Sequence, residues 1–135
     1  MKRKHLRILL VAVVLLVSAL ACEGSFTTAN IQEAYMSQDA DGNSPTTVYS
    51  QDAVFYVQVD LANAPEDTLL KAVWTVVDAQ DTDPNLVINE TEFTSSDGLI
   101  HFQLENTDYL WPVGEYKVDI YLNGTLDRTL TFYVE

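Results

Sequence analysis

From residue 30 onward the apolar side chains fall on every second position, and that period of two constrains the fold more than any other feature. In AVFYVQVDL (53–61), Phe55, Val57, Val59 and Leu61 take one side while Tyr56, Gln58 and Asp60 take the other. Successive side chains of an extended chain point to opposite faces, so the segment reads as a half-buried strand. The same pattern turns Leu70, Ala72, Trp74 and Val76 inward in 69–77, Ile100, Phe102 and Leu104 in 99–104, Tyr116, Val118, Ile120 and Leu122 in 115–122, and Leu130, Phe132 and Val134 in 128–135. Two further strands are expected at about 30–37 and about 86–94. The second carries Glu90 and Glu92, as an edge strand protected by charge does. No segment sustains a helical period.

Turn-forming residues separate these strands, among them Asp41-Gly42-Asn43, Pro65-Glu66-Asp67, Asp83-Pro84-Asn85, Asp97-Gly98 and Asn123-Gly124. The last predicts a register. A plain two-residue loop would set Val118 against Thr129, one facing in and the other out. Aligning Val118 with Leu130 and Tyr116 with Phe132 requires a three-residue connection or a bulge. Seven strands over roughly 105 residues point to an all-β sandwich of two antiparallel sheets, occupying 30–135.

Here the chain resembles an immunoglobulin-like domain. Trp74 stands on the third expected strand, where that family buries a tryptophan. GEYKV is similar to its tyrosine corner, with Tyr116 opening the sixth strand and Val118 two residues on, where true immunoglobulin domains have their second cysteine. Both disulfide cysteines are absent, and Val57 or Val59, with Val118, fill their places. The resemblance implies the bacterial immunoglobulin-like modules of surface lipoproteins, and it implies a fold more than a function.

The first 29 residues follow different rules. MKRKHLR carries four basic residues, and an apolar run from Ile8 reaches Ala21, 14 residues in all, short of the roughly 20 that span a bilayer as a helix. Residues 1–21 therefore read as a signal peptide. Ala19-Leu20-Ala21 precedes Cys22, the single cysteine, and the four residues resemble a bacterial lipobox, with leucine at −2 in place of the usual −3. That resemblance implies that Cys22 becomes the first residue and carries acyl chains such as palmitate; simple secretion is the alternative. Residues 22–29 would then form a short polar tether, and the localisation would be extracytoplasmic, at the cell membrane.

With 1–21 removed, three basic residues (Lys71, Lys117 and Arg128) face twenty acidic ones, a net charge of −17. Such a surface repels phosphate, which excludes nucleic acid as a partner and leaves a covalent lipid as the route to a membrane. His101 is the one histidine left and falls on the outward phase of its strand. No nucleophile–base pair can be assembled around it, so no enzyme is expected.

Asp39, Asp41 and Asn43 in DADGN match the first three ligand spacings of a calcium loop. Glycine then falls at position 4, and Ser50 stands where a bidentate glutamate belongs. Calcium or carbohydrate binding is thus the alternative to an expected protein-binding or assembly-supporting role. Tyr121 and Tyr133, on adjacent strands and outward in phase, together with Trp111 before Pro112, are the candidate partner-binding residues. Trp111 has a second candidate place, as a plug at the end of the sandwich.

Overall fold

A computed structural model describes residues 28–135. Cys22, the signal segment and most of the tether lie outside these residues. The described chain forms β1 (Asn30–Ser37), β2 (Val48–Tyr49), β3 (Phe55–Ala62), β4 (Thr68–Ala79), β5 (Leu86–Ser95), β6 (Gly98–Leu104), β7 (Gly114–Leu122) and β8 (Thr125–Val134). A sheet of three strands, β1-β3-β6, faces a sheet of five, β2-β8-β7-β4-β5. The expected two-sheet β-sandwich is present, and β5 is an edge strand, as its glutamates require.

One strand departs from the expected pattern. β2 is two residues long and runs parallel to β8, pairing Val48 with Tyr133 and Tyr49 with Val134. So short a strand shows no alternation, but it drives Tyr49 into the core. The Tyr49 hydroxyl donates to the Ser37 carbonyl at 2.7 Å.

The core is built around Phe55, which has no exposure and lies 4.7 Å from Trp111, 4.8 Å from Phe132, 4.9 Å from Tyr49, 5.8 Å from Tyr116 and 6.4 Å from Trp74, between ring centroids. Offset and edge-on aromatic pairs of this kind add to what burial alone contributes. Val57, Val59 and Val118 are fully buried beside them, so apolar packing holds the places a disulfide would occupy. The tyrosine corner is formed: the Tyr116 hydroxyl donates to the Pro112 carbonyl at 2.6 Å.

The β7–β8 hairpin has the anticipated register. Val118 pairs with Leu130 and Tyr116 with Phe132, and a bulge between Ile120 and Tyr121 absorbs the mismatch. Asn123 and Gly124 both have positive φ, 48° and 83°. This is the two-residue turn that fits the strand twist, so the correction comes from the bulge and not from a longer loop.

Strand directions sort the loops into two sets. The chain enters β1 beside the β3–β4, β5–β6 and β7–β8 connections, where Thr28 Oγ1 donates to the Asn63 carbonyl, Asp97 accepts the Ala64 amide and Asn123 accepts the Leu69 amide. The opposite, distal end carries the β1–β3, β4–β5 and β6–β7 connections. They are tied together by Gln80 N–H to the Val113 carbonyl and by Trp111 N–H to the Gln51 carbonyl.

Candidate interaction surface

Among the described residues, six of the eight large apolar side chains that stay exposed lie toward the distal end. Tyr109 and Leu110, in the β6–β7 connection, are 76% and 60% exposed, and Val48 and Tyr133 are cross-strand neighbours on β2 and β8. Leu86 and Val87 open β5 at the same end but on the opposite edge of the five-stranded sheet; of the large exposed apolar residues among those described, Leu99 and Leu126 lie toward the entry end. Single exposed apolar residues are ordinary, whereas several gathered at one end of a small domain make a candidate contact surface. A shallow cavity of about 330 Å³, lined by Gln38, Tyr49, Ser50, Ala53, Val54 and Tyr56, opens at that end too.

Trp111 lies beneath this surface. It is 8% exposed, stacks on Phe55 and donates its indole N–H to the Ala53 carbonyl at 2.8 Å. Gln51 returns the contact, its side-chain amide donating to the Trp111 carbonyl at 3.0 Å. Trp111 thus takes the plug position: its ring is consumed by the core, while its neighbours Tyr109 and Leu110 face solvent. The sequence signal for those two was only their position beside a buried tryptophan in a loop.

Tyr121 and Tyr133 share the outer face of β7 and β8 but do not meet. Tyr133 pairs with Glu115 and Tyr121 with Leu126, six positions along β7, or about 20 Å at the usual strand rise. Tyr133, 46% exposed, belongs to the distal surface. Tyr121 sits toward the entry end under the Lys71 ammonium, 4.5 Å from its ring centroid, and Lys71 also reaches Glu90 at 3.3 Å.

The DADGN loop folds back over the outer face of the three-stranded sheet. Asp39 commits both carboxylate oxygens to its own loop, Oδ2 accepting the Asn43 amide at 3.0 Å and Oδ1 the Ser44 amide at 2.9 Å. The Asn43 amide bond, with the Ser44 bond, holds the Asp39 carboxyl below its ordinary value against an opposing desolvation. Asp41 and Asn43 are exposed. Among the described residues no group of three or more His, Cys, Asp or Glu side chains converges on a point that could hold a metal ion.

Gln58 anchors the loop from below. Its phase is outward, yet it is 1% exposed, because the loop lies over it: the two hydrogens of its amide nitrogen are shared among Ser37 Oγ, the Asp39 carbonyl and the Ala40 carbonyl, each at 3.1 Å. Gly42 closes the contact at φ +72°, and a Cβ there would come within 2.5 Å of the Tyr35 hydroxyl oxygen. His101 stands where its phase put it, exposed on the outer side of β6, with the Tyr56 ring 5.9 Å away.

No family model matches the chain, and no curated protein matches it. Solved structures do. An immunoglobulin-like protein from Pseudomonas aeruginosa aligns over 83% of this chain and all of its own, with a TM-score of 0.55 and 16% identity. The sandwich is immunoglobulin-like. The C-terminal domain of Wzt aligns over 82% of this chain and 75% of its own (TM-score 0.51, 11% identity). An alkylpurine DNA glycosylase from Pseudomonas fluorescens aligns over 79% of this chain (TM-score 0.51, 13% identity), but this chain spans only 30% of its length. At such identities the likeness is one of fold alone.

Proposed function

We propose that this immunoglobulin-like domain is a non-catalytic binding module, held at an extracytoplasmic membrane surface by acyl chains on Cys22. One observation carries the binding part: the chain enters the domain at one end, and most of the large exposed apolar side chains among the described residues lie toward the other. A short tether on the entry side would present Tyr109, Leu110, Tyr133 and Val48 away from the bilayer, toward a protein partner. The anchoring part rests on the lipobox-like Ala19-Leu20-Ala21-Cys22 behind a basic and then apolar leader. The high negative charge gives such a domain no attraction to anionic headgroups, so what holds it at a membrane would be the covalent lipid.

Two measurements test the reading. Mass spectrometry of protein extracted from its own membranes should find Cys22 as the first residue, acylated; an unmodified Cys22 in that material removes the anchor. For the surface, a photo-cross-linking residue at position 109 should capture a discrete partner in intact cells, while the same residue at position 63, on the entry end, captures none. Equal labelling from both ends would defeat the assignment of the distal surface.

A further inference from the structure

The two sheets are unequal, and the three-stranded one stops short of covering the other. On β5, Thr91 pairs with Ala72, and Asn89 with Trp74. Ala72 and Trp74 face the core at 0% and 1% exposure, and cross-strand partners share a face, so Thr91 and Asn89 also point to the inner side of their sheet. Both are nonetheless exposed, with Thr91 Oγ1 donating to Asn89 Oδ1 at 2.9 Å. The cover ends at β6, whose Phe102 meets Phe93 with ring centroids 4.8 Å apart. Beyond β6, among the described residues, the inner face of β5 is left uncovered at Asn89 and Thr91.

The edge that borders this gap is unprotected. Three other edge segments carry charge: Glu33 and a bulge on β1, Glu90 and Glu92 on β5, Asp127 and Arg128 on the stretch of β8 that β2 leaves unpaired. β6 reads Gly-Leu-Ile-His-Phe-Gln-Leu, with no acid, lysine, arginine or proline, and pairs with β3 over all seven residues without a register shift. Edge strands of that kind accept another strand unless something blocks them.

Acids bracket the segment, Asp97 immediately before Gly98 and Glu105 immediately after Leu104. They decide against a second copy as the occupant. An antiparallel self-pair in full overlap, Gly98 against Leu104, would set Asp97 against the Glu105 of the other copy at both ends, and like charges directly opposed are destabilising.

From these placements we propose that β6 accepts an extended segment of a partner polypeptide as a fourth strand of the small sheet, its core about seven residues long and flanked at both ends by lysine or arginine. The incoming strand would roof Asn89 and Thr91 with small or β-branched side chains and place its cations against Asp97 and Glu105. This refines the binding-module reading and rests on it. It uses a surface separate from the distal apolar residues and from Cys22, so its failure leaves both of those tests standing.

The probe is a fluorescein-labelled peptide, Lys-Thr-Val-Thr-Val-Thr-Val-Thr-Lys, titrated by anisotropy with the chain from residue 22 to 135. Saturable binding is expected, weakened at least tenfold when both lysines become glutamate. Two peptides N-methylated at alternate backbone nitrogens, one set on each edge, should differ: methylation on the pairing edge weakens binding at least tenfold, and on the other edge leaves it unchanged. Hydrogen exchange should slow at alternate amides of Gly98–Leu104. Absence of saturable binding, or equal binding by both methylated peptides, overturns the proposal, the latter showing adhesion to an acidic surface only. Reversible dimers in sedimentation without peptide, with the same amides protected, would overturn it in favour of a second copy.

Discussion

Replacing Gln58 by glutamate tests the loop-over-sheet arrangement most sharply, because the change keeps shape and reverses hydrogen-bonding sense. The two hydrogens of the wild-type amide nitrogen are shared among three acceptors, Ser37 Oγ and the carbonyls of Asp39 and Ala40. A carboxylate has no hydrogen to offer them and turns negative charge toward two carbonyl oxygens in a site that is 1% exposed. An unpaired buried charge costs about 3–5 kcal/mol. At the lower end of the usual conversion for a domain near this size, that is a fall in Tm of about 12–20 °C at pH 7.

The pH dependence gives the argument a sign. Burial and the facing carbonyls raise the folded-state pKa of the introduced carboxyl above its unfolded value of about 4.3, so the folded state binds more protons and stability falls as pH rises through that window. Relative to wild type, Gln58→Glu should therefore recover part of its loss between about pH 7 and pH 5. Gln58→Met, which also lacks the donors but carries no charge, should lose about 1–3 kcal/mol with no such recovery. Circular dichroism melts from about pH 5 to pH 8, the window in which a raised carboxyl titrates, decide the matter. A glutamate variant melting within about 3 °C of wild type at pH 7, against the predicted loss, or one whose pH profile parallels that of the methionine variant, would refute the buried position of Gln58.

Three other outcomes are expected. Tyr116→Phe removes the bond to the Pro112 carbonyl and should cost about 1 kcal/mol in a thermal melt; burial pushes the Tyr116 phenol up to about 12, so wild type should lose stability as pH climbs from 10 toward 12, and the Phe variant should lose less, keeping only the part due to Tyr49, whose phenol burial also raises. Gly114→Ala should be among the most damaging small changes, since at φ +155° its Cβ would collide with the backbone of Asp78 and Ala79; overpacking against backbone costs about 1–3 kcal/mol before any backbone strain, and circular dichroism should show a Tm lower by at least about 5 °C. Asp39→Ala should lower Tm at neutral pH through loss of the bonds to Asn43 and Ser44; because that carboxyl is held below its ordinary range, the difference from wild type should close as pH falls through the carboxylate range, and millimolar calcium should leave wild-type Tm unchanged.

Much of the framework is legible in the chain, because period-two alternation acts locally: a strand with Phe55, Val57, Val59 and Leu61 on one side has one way to bury them. The same holds for the Asn123-Gly124 turn, whose flanking pattern required the bulge between Ile120 and Tyr121. The tyrosine corner was legible as well, since its hydroxyl bonds a carbonyl only four residues upstream. Features that depend on distant segments left no local trace. Gln58 alternates outward and becomes buried only because residues 38–44 return over it. Tyr49 gives no strand signal and enters the core through a two-residue parallel pairing with the far end of the chain. Trp111 offers the same sequence to a surface or a plug, and its stacking on Phe55 settles which.

Tyr121 and Tyr133 show the same division from the other side. Alternation put both on one outer face, but register put them about 20 Å apart, one near the entry end and one at the distal surface. The acidic surface, the sandwich and the inward set of each strand follow from residue order, because side-chain polarity and spacing fix which face a strand can bury. Which end gathers the exposed apolar residues, and that the small sheet leaves β5 without a cover beside an uncharged edge, depends on how strands distant in sequence pair, and only the assembled sheets decide that.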